Sequence, residues 1–210
     1  IAFINPNSTV AMTESCVETL RSAFPEFYRV RGITNCDGPA AIQGEEDGIA
    51  AVPGLLREIE KNSDCDGFII GCFDDTGLFE ARAISRKPII GIGQAAFHMA
   101  ALRHGKFYVL TTLDVSIPVI KQNVKVQGFG DYCKDVIASG IPVLELENNP
   151  ISATDSLSDC IKIIEGRDPE VAIVLGCAGM TNVCGRLQAR HNVYLLDPIV
   201  SSARMVNAIL

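Results

Sequence analysis

Two segments of this chain end in the same way. Asp66–Cys72 reads DGFIIGC and Glu170–Cys177 reads EVAIVLGC, each an apolar run closed by Gly-Cys, and the cysteines are offset by 177 − 72 = 105 residues. At nearly the same offset Ala2–Ile4 matches Phe107–Leu110 and Ile89–Ile92 matches Tyr194–Leu196, and the helical pattern after each recurs. A duplicated unit constrains the fold strongly. Whatever one half builds the other repeats, and a pseudo-twofold relation puts equivalent strand ends on opposite walls of one cleft. The polar break Arg103-His104-Gly105-Lys106 marks the boundary. The expected lobes are 1–105, carrying Cys72, and 106–210, carrying Cys177, with elements near the boundaries free to swap.

The repeated unit reads as α/β. Short apolar runs at Ala2–Ile4, Phe68–Ile70, Pro88–Ile92, Phe107–Leu110, Ala172–Leu175 and Val193–Leu196 have the length and composition of buried parallel strands. Between them, Thr9–Ser22, Ile49–Lys61, Leu78–Ser85, Ala95–Arg103, Ser152–Ile164 and Ile199–Leu210 carry apolar residues at three- and four-residue spacing. Alternation of strand and helix predicts two lobes, each a parallel sheet flanked by helices, with the active site in the cleft between them.

Composition narrows the partners. Of 210 residues 48% are hydrophobic, enough for a substantial core, yet no apolar run approaches the roughly 20 residues that cross a bilayer. The start lacks the basic-then-apolar order of a signal peptide, so a cytoplasmic protein with no membrane partner is expected. A net charge of −7 offers no basic face for nucleic acid, which leaves small molecules or proteins. The eight cysteines form no C-x-x-C pair and no zinc-like grouping with histidine, so neither a metal nor a disulfide framework is expected. Cys16, Cys65, Cys133, Cys160 and Cys184 fall in or beside predicted elements, where cysteine acts as a small hydrophobe.

Cys72 and Cys177 are different. Ligands of open α/β sheets bind beyond the carboxyl ends of the strands, where both cysteines fall. Each follows a glycine, read as allowing a sharp turn, and each precedes an expected helix start whose N–H groups and dipole favour a thiolate. Gly-Cys is a common end to one buried strand, but packing does not require it at both repeat positions. Proton chemistry at a carbon held between two walls would use an acid and a base.

At these residues the sequence resembles a known family. Ile4-Asn5-Pro6-Asn7-Ser8-Thr9, Gly71-Cys72-Phe73-Asp74-Asp75-Thr76-Gly77-Leu78, Gly176-Cys177-Ala178-Gly179-Met180 and Gly38-Pro39-Ala40 together look like hydantoin and allantoin racemases of the aspartate/glutamate racemase superfamily. The resemblance covers nearly the whole chain. It implies racemisation of a five-membered cyclic ureide without metal or pyridoxal, with Cys72 and Cys177 matching the catalytic pair, and no cofactor. An amino-acid racemase, a related decarboxylase and a two-lobed binding protein are the alternatives; the decarboxylases keep one of the two cysteines, so retention of both argues against them. A homo-oligomer is expected, because symmetric assemblies are common for such enzymes.

Further residues complete the expected site. The carbonyl charge formed on deprotonation calls for preorganised N–H donors, placed around Phe73–Asp74 and Ala178–Gly179. Asn5 and Asn7 after the first strand, and Thr111 and Thr112 at the equivalent place in the second half, have groups that suit a neutral imide ring, although Asn5–Ser8 also reads as a turn with a helix cap. Asp74 and Asp75 read as dipole and capping residues at a helix start, without a catalytic role. His98, His104 and His191 read as surface or packing residues. Gly91-Ile92-Gly93 reads as a tight strand-to-helix turn.

Overall fold

The computed structural model describes all 210 residues. Eight strands form two parallel sheets of four. The first holds β1 (Ala2–Asn5), β2 (Arg31–Thr34), β3 (Phe68–Ile70) and β4 (Ile89–Gly91), in the order β2-β1-β3-β4. The second holds β5 (Phe107–Thr111), β6 (Cys133–Ala138), β7 (Ala172–Gly176) and β8 (Tyr194–Leu196), in the corresponding order β6-β5-β7-β8. Gly105 lies between the two sheets, at the end of a helix and in a positive-φ conformation of 74° that suits glycine.

The strands found by apolar run-length are those buried on both faces. β1, β3 and β7 are buried at every position, as helices cover both sides of a parallel sheet. The two remaining strands, β2 and β6, are the equivalent edge strands of their sheets, and their sequences RGIT and CKDVIA are too polar for such a run. They were not expected. The opposite edge strands, β4 and β8, are apolar and largely buried, whereas β2 and β6 leave much of their surface in water and so carry no run of apolar residues.

Nine α-helices connect the strands: α1 (Val10–Ala23), α2 (Glu45–Lys61), α3 (Leu78–Ile84), α4 (Ile92–His104), α5 (Ile117–Val126), α6 (Glu145–Asn148), α7 (Pro150–Arg167), α8 (Thr181–Gln188) and α9 (Pro198–Ile209). Alternate residues of the first sheet enter different cores. Ala2, Ile4, Phe68 and Ile70 pack with Leu55, Ile59 and Leu78 from α2 and α3 in one cluster. Phe3, Ile69 and Ile90 point the other way, into a cluster that continues through α4 and α9 to the second sheet. Helix α9 follows β8 but packs on α1 and α4, and α4 in turn packs on β7, so these helices join the sheets.

That topology positions a site. In each sheet the chain leaves its first strand to one side for the second and to the other for the third, so the order reverses between β1 and β3 and between β5 and β7. A crevice opens at such a switch point, beyond the carboxyl ends of the diverging strands. Asn7 and Cys72 follow β1 and β3; Thr112 and Cys177 follow β5 and β7.

Candidate active site

The glycines before the two cysteines serve packing rather than a sharp turn. A Cβ on Gly71 would lie 2.2 Å from Phe3 Cζ, and one on Gly176 would lie 2.9 Å from Val109 Cγ1 and 3.0 Å from the Leu110 carbonyl. Neither adopts positive φ. Each lets its strand approach the neighbour and delivers the next residue to the crevice.

Cys72 and Cys177 line one pocket, between the two halves, with about 360 Å3 of empty space, part of it open to solvent. Phe73, Asp74 and Ala178 line it beside them, as do Asn7, Thr111 and Thr112. Asn5 and Gly179 fall outside that lining. The Asn5 amide is engaged within its own turn, donating to Asn7 Oδ1 at 2.8 Å and Thr13 Oγ1 at 3.1 Å and accepting the Asn7 N–H, so it holds Asn7 in place. Thr111 donates to the Gly176 carbonyl at 3.1 Å, which ties β5 to the residue before Cys177.

Of the rest, Ile42 belongs to Gly38–Gly44, a segment the sequence already ties to pocket size, and the others come from positions that sequence reasoning missed. Met12, Ile42, Ser116 and Val143 close the pocket. Ile42 and Val143 belong to facing loops stitched by the Val143 N–H, which donates to Gln43 Oε1 at 3.1 Å. No periodic signal marks loop residues of this kind. Thr76 was also missed: its hydroxyl donates to Cys72 Sγ at 3.3 Å. The repeat itself flagged that position, since Thr76 and Thr181 are separated by the same 181 − 76 = 105 residues as the cysteines.

The electrostatics differ from the expectation of thiols made acidic by helix starts. Cys72 is followed by a loop, with α3 starting only at Leu78, and Cys177 by a short 3-10 turn before α8. Burial pushes the Cys177 thiol up to about 12, partly offset by the Gly179 N–H, while Asp74 and Glu147 raise it further and the Met180 N–H works the other way. Cys72 is pushed up as well, by burial first and then by Asp74, against the hydrogen bonds from Thr76 and the Asp74 backbone. Removal from water wins over local donors at both sulfurs. Asp74 is itself pushed up to about 7, by burial and by neighbouring Asp75.

Asp75 corrects the reading of the acidic pair. It does not cap α3, whose N-cap is Gly77. With φ at 49°, it turns inward, and its Oδ1 accepts the Gly93 N–H at 3.0 Å while Oδ2 accepts from Gln127 Nε2 at 2.9 Å. It therefore caps α4 from outside and reaches across to α5. Gly91 and Gly93 leave room for it: a Cβ on Gly91 would lie 2.0 Å from Asp75 Oδ1.

The other cysteines are unpaired, and they divide. Cys16 and Cys65 are buried as expected, but Cys133, Cys160 and Cys184 are only partly so, because each lies on an edge strand or an outer helix. His98 and His104 pack against Phe129 and Tyr194. His191 is buried and bridges Ser158 Oγ at 2.8 Å and Glu165 Oε2 at 3.1 Å. No three His, Cys, Asp or Glu side chains come together as a metal site, and no helix is long and apolar enough to cross a membrane.

The family model for Asp/Glu/hydantoin racemases matches residues 1–206. The chain belongs to that family. It is similar to the hydantoin racemase of Rhizobium meliloti, with 39% identity over 100% of this chain and 88% of the relative. Among solved structures, the allantoin racemase from Klebsiella pneumoniae is 30% identical and superposes with a TM-score of 0.93 over 99% of this chain and 86% of that one. The allantoin racemase from Pseudomonas fluorescens shares the fold, with a TM-score of 0.94 at 24% identity over 99% of this chain and 89% of that one. Membership accounts for the paired parallel sheets.

Proposed function

We propose that this family member racemises 5-monosubstituted hydantoins, or allantoin, by proton transfer at C5 between Cys72 and Cys177. The observation that carries the reading is the pocket itself: two cysteines at equivalent strand ends of the two halves, in a lining without lysine, arginine or histidine. An amino-acid substrate needs firm handles for its carboxylate and its ammonium, and the strongest of them for the carboxylate, a bidentate arginine, is not in this lining. A neutral cyclic ureide needs amide, hydroxyl and backbone partners, which Asn7, Thr112 and the turns after the cysteines supply.

The chemistry follows from the substrate class. The C5 hydrogen of a hydantoin lies alpha to a carbonyl, so one thiolate takes the proton and the C–H electron pair moves onto the carbonyl oxygen as an enolate. The opposite thiol returns a proton to the other face, and its sulfur becomes the thiolate. The centre inverts, the roles of the two thiols exchange, and no cofactor enters the balance. In this reading the enzyme works in the cytoplasm, where free thiols stay reduced, as a homo-oligomer.

Polarimetry of the purified protein with allantoin, 5-isopropylhydantoin, 5-benzylhydantoin, aspartate and glutamate tests the proposal. Decay of rotation with a cyclic ureide and not with the amino acids is expected. Decay with aspartate or glutamate alone, or binding without any decay, would overturn it.

A further inference from the structure

The two halves repeat the same threonine but use it differently. Thr76 is buried in the loop after β3 and donates to Cys72 Sγ at 3.3 Å. Thr181, its equivalent 105 residues on, turns away from Cys177: its hydroxyl lies 2.6 Å from Asp197 Oδ2 and 3.1 Å from Thr19 Oγ1. Asp197 caps α9 through the Ile199 and Val200 N–H groups, so Thr181 is committed to a helix start. No hydroxyl takes that place at Cys177: the Met180 N–H donates to the Cys177 carbonyl at 3.1 Å, and the groups nearest the sulfur in its turn are backbone.

The loop around Thr76 is built to keep this contact. The Asp75 N–H donates to the Cys72 carbonyl at 3.0 Å, the Leu78 N–H to the Asp75 carbonyl at 3.0 Å, and Asn123 Nδ2 to the Asp74 carbonyl at 2.6 Å. Together with the Asp75 anchor these bonds hold the three residues between Cys72 and Thr76 in one conformation.

We propose that Thr76 is a positioning residue for Cys72 alone, its hydroxyl orienting the sulfur and stabilising it when it carries charge, so that a side-chain hydroxyl serves one of the two thiols and not the other. The inference rests on the two-thiol reading above. When Cys72 is the base, its thiolate accepts the C5 proton and the Thr76 hydrogen bond weakens as S–H forms. When Cys72 is the acid, the same bond strengthens as its proton leaves. A hydroxyl donor to a charged acceptor is worth more than one to a neutral thiol, so its loss falls on the charged state.

Racemisation rates alone do not separate the halves. The equilibrium constant between enantiomers is one, so kcat/KM is equal in both directions for every variant. Exchange in heavy water does separate them. In a Cys177→Ser background only Cys72 remains as a thiol base, and in a Cys72→Ser background only Cys177. Thr76→Val, close to isosteric, is expected to slow deuterium incorporation at C5 at least about tenfold in the first background and to leave it within about twofold in the second, the size expected for a hydrogen bond to a charged group. Thr76→Ser, which keeps the hydroxyl, should restore most of the loss in the first background. The same pairs, followed by mass spectrometry of iodoacetamide labelling across pH, should show slower alkylation of Cys72 and unchanged alkylation of Cys177. Equal slowing in both backgrounds marks a general structural role and overturns the inference, as does no slowing in either. If neither single-cysteine background exchanges deuterium while Thr76→Val still slows labelling of Cys72, the two-thiol reading has failed and the pairing of Thr76 with Cys72 stands.

Discussion

Asp75 Oδ1 accepts the Gly93 N–H at 3.0 Å, so the loop that carries Cys72 also caps the helix that leaves β4. A Cβ on Gly93 would lie 2.3 Å from the Phe73 carbonyl oxygen, which is backbone and cannot swing aside. Gly93→Ala therefore displaces the Cys72 loop. Denaturant unfolding should show a loss of at least about 2 kcal/mol, with activity falling more than the unfolded fraction explains. A variant as stable and active as the parent would contradict this contact.

The same carboxyl gives stability a pH dependence. Burial pushes Asp75 up to about 7, above the value of about 3.9 for an unfolded aspartate. Between those values the native state holds the extra proton, so stability is greatest on the acid side and falls as pH rises towards 7, then levels off. Asp74, also raised to about 7, has the same sign. The melting temperature is expected to be lower at about pH 8 than at about pH 5.5, with a smaller difference in Asp75→Asn. Asparagine keeps an oxygen for the Gly93 N–H, and its NH2 finds Gln127 Oε1, which has no partner in the native orientation, once that amide turns over. An equal or larger fall in Asp75→Asn would remove Asp75 as the source.

Thiolate chemistry in this pocket should favour alkaline pH. Burial raises both thiols and Asp74 raises them further, so kcat/KM should climb through neutrality and beyond the ordinary thiol value of about 8.5. Asp74→Asn removes a negative charge beside both sulfurs, and the rising limb should move to lower pH by about one unit. A limb that stays in place in the variant would mean that Asp74 does not act on the thiols through its charge.

His191 holds the second half together, away from the pocket. Its ring joins Ser158 and Glu165 of α7, and Glu165 also accepts the Asn192 N–H at 2.9 Å, which fixes the approach to β8. Ser158 is buried, so this Ser-His-Glu arrangement acts as a strut. His191→Ala should destabilise the protein by about 2 kcal/mol or more through a cavity and an unpaired buried hydroxyl, while KM and kcat of the folded fraction stay near parental. A large change in KM at unchanged stability would contradict the assignment.

The parts legible in the sequence were those that repeat or bury. Central strands β1, β3, β5 and β7 are apolar at nearly every position, and the Gly-Cys ends are marked by the 105-residue offset. Edge strands β2 and β6 were hidden because half their surface faces water. Helix α5 was hidden because only Ile120 and Val124 of its ten residues are buried. Ile42 and Val143 meet through loops far apart in the chain, and nothing local predicts such a meeting. The dipole expectation for the thiols weighed the N–H groups that follow each cysteine, which do act downward at Cys177, and not the chain that closes over both sulfurs and pushes them up. Asp75 was read as a helix cap, correctly in kind, but the helix it caps begins 17 residues later at Ile92.

The central claim is that one thiol serves each face of the substrate, and deuterium exchange at C5 in heavy water tests it most directly. Proton NMR and chiral chromatography would follow each enantiomer of a 5-monosubstituted hydantoin with Cys72→Ser and with Cys177→Ser, against the uncatalysed rate. Serine is too weak a base to replace a thiolate, so each variant should exchange one enantiomer without inverting it, the two variants should prefer opposite enantiomers, and neither should racemise. Near-parental racemisation by either variant, or the same enantiomer preference in both, would contradict the account.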